Sequence, residues 1–343
     1  MKVTKAYSFD DVLLVPKFST LNSRAEADLS TTIAGVELKI PIIAANMSSV
    51  CGAQMAETLG KLGGLGIVHR MCSVEEQAAM VKTAKGDGSY PVGFSIGVGD
   101  DWRDRMDACK EHASIVCVDV AHGNHKRVIN LLSEYFGSYG GFPIIIGQIA
   151  NYRAAANIIA CVPTEHMATV ALKTSIGGGS LCTTRIQTGF GVPTLQAVDD
   201  IRSSLTYEVA IIADGGIKNS GDIVKSLAAG ANAVMLGGLL AGTDEAPGTI
   251  IEGKGGSLFK AYRGSASYSD KILRGERARN IEGEDVLVPC RGPVEGVVNG
   301  LLDGVRSGFS YGGAHNITEL QKKAEWIEVS AAGHRESLPH GKL

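Results

Sequence analysis

The residues best suited to chemistry in this 343-residue chain lie together in Gly177-Gly178-Gly179-Ser180-Leu181-Cys182-Thr183-Thr184-Arg185. Three consecutive glycines let the backbone approach a ligand closely and adopt dihedrals that other residues avoid. Ser180 adds a hydroxyl donor. Cys182 is nucleophilic only as its thiolate, which neighbouring positive charge and oriented amides stabilise. Arg185 and the glycine amides are candidates for both. A thiol, hydroxyls and flexible backbone in one irregular loop suit covalent chemistry. The alternative is a buried structural cysteine beside a turn, the fate of most cysteines. The segment that follows, Gln187 to Pro193, stays polar and irregular, as a long functional loop would. On residue types alone the two readings of Cys182 balance.

The elements that must hold this loop are legible as a repeat. Eight short apolar runs alternate with amphipathic stretches: Ile40–Asn46, Gly64–His69, Val92–Val98, Ile115–Asp119, Ile144–Gln148, Ala168–Lys173, Val209–Asp214 and Ala233–Leu236. Continuous apolar runs mark strands of a parallel sheet covered on both faces. Helices are expected at Ser73–Lys85, Trp102–His112, Lys126–Phe136, Val198–Leu205 and Asp222–Ala229, the last capped by Ser220 and closed by Gly230. Eight βα repeats in one unit predict an α/β fold, a (β/α)8 TIM barrel, with a doubly wound open sheet as the alternative. Polar residues fall where the runs end: Asn46, His69, Asp119, Gln148 and Asp214. Active sites of barrels are built at those strand ends. Glycine pairs after the seventh and eighth runs, Gly215-Gly216 and Gly237-Gly238, predict a phosphate site of backbone amides. Residues 1–39 form a polar N-terminal extension. After the eighth run a charged segment, about 264–289, is either a solvated excursion or a flap that closes on the barrel mouth. The last 15 or so residues are expected to be poorly ordered.

Composition narrows the function. The net charge is −3, with no basic block, which argues against nucleic acid or an anionic membrane as a partner. Seven scattered cysteines without CxxC spacing favour free thiols and a reducing, cytoplasmic setting. Neither a signal sequence nor an apolar run of membrane-spanning length is expected.

GGGSLCTTR at 177–185, IADGGI at 212–217 and SGDIVKSLAAGANAVMLGG at 220–238 resemble the IMP dehydrogenase/GMP reductase family. The resemblance runs from Phe9 to about Ala314 and implies one catalytic barrel, with no regulatory domain between the second and third strands. It assigns catalysis to Cys182, Thr184 and Glu282, with Glu282 assisting Thr184 in protonating a leaving amine. Ser180, Gly216, Gly237 and Gly238 would take a nucleotide phosphate, and Asp214 with Gly215 the ribose. Gly264, Ser265, Ala266, Arg279 and Gly283 would complete the substrate site. The cofactor, NADPH or alternatively NADH, would meet Ser23, Arg24, Arg70, Met71, Asp119, Val120, Ala121, Ile176, Gly177, Ser307 and Ser310. Carbonyls of Gly177, Gly179, Cys182 and Arg185 would hold potassium. A homotetramer is implied.

The reductase branch is favoured by Ser23-Arg24, by Gly237-Gly238 and by Arg279-Asn280-Ile281-Glu282-Gly283. The flap carries Tyr268, Arg274, Arg277 and Arg279 but no Arg-Tyr pair, which dehydrogenases need to activate water. The implied reaction is reductive deamination of GMP to IMP and ammonia. An IMP dehydrogenase without its regulatory domain is the first rival, and a nucleotide-binding pseudoenzyme the second. Departures from the family pattern cluster near the base and cofactor. Ser48-Ser49 stand for Asp-Thr, Gln148 for asparagine, Ser265-Ala266 for Met-Ser, and Arg70-Met71 for Lys-His. A modified or deoxy purine nucleotide therefore stays open as substrate.

Overall fold

The computed structural model describes residues 1 and 3–339, apart from 274, 276 and 278. Eight parallel strands close into a barrel: β1 (Ile42–Ala44), β2 (Leu65–Val68), β3 (Val92–Ile96), β4 (Ile115–Asp119), β5 (Ile144–Ile149), β6 (Val170–Thr174), β7 (Ala210–Asp214) and β8 (Ala233–Leu236). The barrel closes through the pairing of Val234 with Ile42. The open-sheet alternative is thereby excluded, and each expected run falls on a barrel strand.

Alternation along the strands sorts side chains between two cores. Ile43, Ile67, Cys117, Ile145, Ala171, Ile212 and Met235 fill the barrel interior. The intervening residues, such as Ile42, Val68, Val116 and Leu172, face the helices. A hairpin of strands Thr31–Ile33 and Val36–Leu38 in the N-terminal extension plugs one end, sending Ile33, Ala34 and Leu38 into the interior. Moving one period-2 step along β4, β6 and β7 from these apolar layers reaches Asp119, Lys173 and Asp214. The interior thus turns polar at the strand C-termini.

The outer layer comprises α1 (Ala53–Lys61), α2 (Val74–Lys85), α3 (Trp102–Cys109), α4 (Lys126–Tyr139), α5 (Tyr152–Ile159), α6 (Thr194–Ser204), α7 (Ser220–Ala228) and α8 (Val294–Gly312). Two sequence expectations shift. The N-cap of α7 is Asn219, whose side chain accepts from the Asp222 amide, and Ser220 is the first helical residue. Asparagine and serine both cap well, so adjacent candidates are decided by backbone geometry. Helix α6 begins at Thr194, directly after Pro193. Proline fits a helix start but removes the polar signal that would have marked it.

After β8 the chain builds a small antiparallel sheet from Ile251–Glu252, Leu258–Arg263 and Asp285–Pro289. Lys260, buried in the middle strand, donates to the carbonyls of Thr243, Asp244 and Ala246 and so ties the sheet to the β8 exit. The flap is therefore the tip of a long hairpin, and its stem begins before residue 264. The C-terminus also differs from expectation. Trp326–Glu328 pairs with Val12–Leu14, and a helix follows at Ala331–Glu336. The paired strand lies just before the last 15 residues, the helix falls within them, and residues 340–343 lie outside the described residues. No helix among the described residues is long and apolar enough to cross a membrane.

Candidate active site

The loop after β6 is stapled shut at its base. Ile176 bridges Val192, and the Arg185 guanidinium donates to the Val192 carbonyl at 2.8 Å. Arg185 therefore is not the thiolate's partner, as its sequence position suggested; its side chain closes the loop instead. The Cys182 thiol donates to the Thr184 hydroxyl at 3.1 Å, and that hydroxyl donates to Glu282 Oε2 at 2.7 Å. Thiol, hydroxyl and carboxylate form a continuous chain across 98 residues of sequence separation.

Glu282 reaches this place because the flap is zipped onto the loop. The Thr183 amide donates to the Glu282 carbonyl, and the Glu284 amide to the Leu181 carbonyl, at 3.0 and 2.9 Å. The Glu282 amide donates to the Ala266 carbonyl, and the Gly264 amide donates to the Glu284 carbonyl. Gly264, Ala266 and Gly283 thus pack against one another beside Cys182. The flap helix Tyr268–Leu273 is fastened to the barrel rim by Ser48, which donates to Asp270 at 2.6 Å. Ser49 accepts from the Arg263 amide at 2.9 Å. Arg279 is exposed, and Arg274 lies outside the described residues.

The two glycine pairs are explained by close approach. A Cβ on Gly215 would lie 2.9 Å from the Gly179 amide nitrogen, and its φ is +96°. A Cβ on Gly237 would lie 2.8 Å from the Tyr262 hydroxyl. That hydroxyl is 3.4 Å from Ser180 Oγ, and Gly238 faces both. Ser180, Gly237 and Gly238 therefore share a small polar recess with Tyr262, which sequence reading missed. Its signal was the alternation of Leu258–Arg263, which turns Lys260 and Tyr262 inward.

At the polar end of the barrel, Lys173 donates to Asp119 Oδ1 at 2.9 Å and to Asp214 Oδ2 at 2.8 Å. Gln148 also donates to Asp214 Oδ2. Burial by itself raises the Asp119 carboxyl, but Lys173 and Arg70 outweigh it and hold the group below the usual carboxylate range. The same burial disfavours the charged lysine, yet the two aspartates hold it well above its ordinary value. Lys173 went unread because it sits inside an apolar run. Two buried polar atoms beside this cluster lack partners: Arg70 Nε and Gln148 Oε1.

The expected cofactor residues fall into two groups. Arg70, Met71, Asp119, Val120, Ala121, Ile176 and Gly177 follow β2, β4 and β6 at the mouth. Ser23 and Arg24 lie in the N-terminal extension, and Ser307 and Ser310 on α8 in the outer layer. For potassium, the loop offers neutral backbone oxygens of the kind hard cations take. The Gly179 and Arg185 carbonyls each accept an amide hydrogen, from Cys182 and Gly189 at 3.0 Å, and each retains a lone pair. No group of three or more His, Cys, Asp or Glu suited to a metal occurs among the described residues.

The model of the IMP dehydrogenase / GMP reductase domain matches residues 6–340. The chain belongs to that family. Both branches of the family are close to it in sequence. It is 29% identical to an inosine-5'-monophosphate dehydrogenase of Nitrosopumilus maritimus, covering 100% of each chain. It is 33% identical to a GMP reductase of Streptococcus agalactiae, covering 92% of this chain and 93% of the relative. A crystal structure of a GMP reductase variant from Trypanosoma brucei, in complex with guanosine 5'-monophosphate, superposes with a TM-score of 0.92 at 28% identity over 99% of both chains. Family membership makes the chain an oxidoreductase of purine nucleotides using a nicotinamide cofactor, and sequence identity does not choose the branch.

Proposed function

We propose that the protein reduces GMP to IMP and ammonia with NADPH, through a covalent bond between Cys182 and purine C2. The observation that carries this reading is the hydrogen-bonded chain from Cys182 through Thr184 to Glu282. C2 of GMP is an amidine-like electrophile. As the Cys182 sulfur bonds to it, the thiol proton passes to Thr184 and Glu282. The same pair returns a proton to the exocyclic amine, the C2–N bond breaks and ammonia leaves. A bound nicotinamide cofactor would supply the hydride that C2 requires. The S–C2 bond then breaks, IMP leaves, and a proton from solvent restores the Cys182 thiol. A general acid in hydrogen-bond reach is what amine departure requires.

Binding follows from the same geometry. Ser180, Gly216, Gly237, Gly238 and Tyr262 receive the phosphate, and Asp214 accepts from the ribose hydroxyls. Gly264, Ser265, Ala266, Arg279 and Gly283 border the base. Arg70 Nε and Gln148 Oε1, a buried donor and a buried acceptor without partners, suit a carboxamide such as that of nicotinamide. Potassium would be held by the carbonyls of Gly177, Gly179, Cys182 and Arg185. Exposed Phe18, Ile186, Phe190 and Tyr311 support assembly as a homotetramer.

Against the dehydrogenase reading stands the lack of an adjacent Arg-Tyr pair in the flap sequence; among the described residues, the flap's Tyr268, Arg277 and Arg279 are exposed. Against the pseudoenzyme stands the retained three-residue chain. Incubation with GMP and NADPH should yield IMP and ammonia in equal amounts, and Cys182→Ala should abolish this while nucleotide still binds. XMP formed from IMP and NAD would establish the dehydrogenase instead. Nucleotide binding without turnover in either direction would establish the pseudoenzyme.

A further inference from the structure

We propose that Lys173 is a positioning residue that locks the nucleotide-side and cofactor-side carboxylates, Asp214 and Asp119, into one unit; this rests on the functional reading above. Lys173 is 1% exposed and sits at an inward position of β6, one step beyond Ala171. It pairs with Gly147 and Ile212 on the flanking strands, and the interior positions one layer below are apolar, including Ile145 and Ala171. A buried ammonium is costly unless paired, so its presence points to its partners. Its bonds to Asp119 Oδ1 and Asp214 Oδ2 are 2.9 and 2.8 Å long and share one nitrogen.

The oxygen selection is informative. Lys173 and Gln148 both hold Asp214 through Oδ2, which leaves Oδ1 for a ligand hydroxyl. Lys173 holds Asp119 through Oδ1, and Asn46 also bonds that carboxylate. A single ammonium thereby fixes the orientation of an acceptor in each ligand site. It also favours the ionised form of Asp119 against the effect of burial. The charged and titratable groups facing it are Asp119 and Cys117 from β4 and Asp214 from β7, with Arg70 reaching Asp119 from the β2 exit. Cys117 is a neutral thiol, pushed up to about 12 chiefly by burial. Arg70 donates to the Asp119 backbone carbonyl at 3.3 Å. Without Lys173, two carboxylates would face each other with one guanidinium, and one of them would retain a proton near neutral pH.

The test is direct binding of GMP and of NADPH, by calorimetry, to wild type, Lys173→Met and Asp119→Asn, with folding checked by circular dichroism. Lys173→Met should weaken both ligands by at least about tenfold, since it strands buried charge. Its GMP affinity, relative to wild type at each pH, should also improve as pH rises from 6.5 to 8.5, roughly the window in which a carboxyl beside a like charge loses its retained proton. A purely structural lysine would not create that titration. Asp119→Asn is nearly isosteric and keeps the proposal testable if the methionine variant does not fold. It releases Lys173 wholly to Asp214 and should weaken GMP by about fivefold or more, although Asp119 lies on the cofactor side. Unchanged GMP affinity in Asp119→Asn, or loss of one ligand alone in Lys173→Met, overturns the role of Lys173. A wild-type protein that binds no purine nucleotide overturns the functional reading itself.

Discussion

Cys182, Thr184 and Glu282 divide one task among three groups. In the proposed reaction the thiol makes and breaks the bond to carbon, the hydroxyl relays, and the carboxylate stores the proton. Glu282→Gln keeps size and hydrogen bonding but removes that storage. It should lower the rate of GMP reduction by about 10²–10⁴-fold, as loss of a general acid–base group does, with little change in nucleotide affinity. Steady-state rates beside a binding isotherm would check this, and a near wild-type rate would remove Glu282 from the proton path. Legibility differed among the three. Cys182 stands out by its glycine-rich loop, where residue types alone leave a reactive and a structural thiol evenly balanced, and Thr184 takes its role from the family resemblance. Glu282 is one carboxylate among several on a charged flap, and only resemblance singled it out; the fold supplies the reason by zipping the flap onto residues 181–183. Arg185 was misread because proximity in sequence suggested a partner for the thiol. Its side chain instead packs against Gly177 and Gly191.

At the scale of elements, strand ends and the flap decide what the barrel mouth can hold. Period and apolarity sufficed to place all eight strands, because a parallel strand covered on both faces needs an unbroken apolar run. What periodicity cannot reveal is which element returns to close over another. The tie between Ser48 and Asp270, and the Tyr262 hydroxyl beside Ser180, join segments more than 80 residues apart. The glycine pairs were read as a phosphate site, and the structure shows that close approach of neighbouring groups requires glycine at Gly215 and Gly237. Replacing Gly237 with leucine would drive a side chain into the Tyr262 hydroxyl, 2.8 Å from the first added carbon. Its KM for GMP should rise at least about tenfold, through the strain of overpacking a tight site, while affinity for NADPH is kept. An unchanged KM would place the phosphate elsewhere.

At the scale of the whole molecule, Lys173 and His69 are both buried near the mouth, with opposite consequences. Lys173 is paired and stays charged. His69 is unpaired by any acid, accepts the Met71 amide on Nδ1 at 3.1 Å, and is driven down to about 4 by burial, with Arg105 and Arg263 adding to the effect. In the unfolded chain a histidine titrates near about 6.5. Between those values the unfolded state binds more protons, so stability rises with pH across the window and is lost on acidification. The loss is on the order of 3 kcal/mol for a shift of this size. Thermal melts from pH 7 to pH 4 should show it, and His69→Gln should flatten the decline; an equal decline in the variant would assign it to other groups. Sedimentation should give four times the 35.9 kDa chain mass, and a monomer would leave the exposed Phe18 and Phe190 unaccounted for. The account turns most directly on how the Cys182 adduct is resolved. In the proposed reaction amine exchange is served by Thr184 and Glu282, whereas hydrolysis needs a positioned base, and the flap sequence lacks the adjacent Arg-Tyr pair. Initial rates of NADPH consumption with GMP and of XMP formation from IMP and NAD, measured on the same preparation, test it. The account predicts that GMP reduction is the faster reaction; faster XMP formation would contradict it.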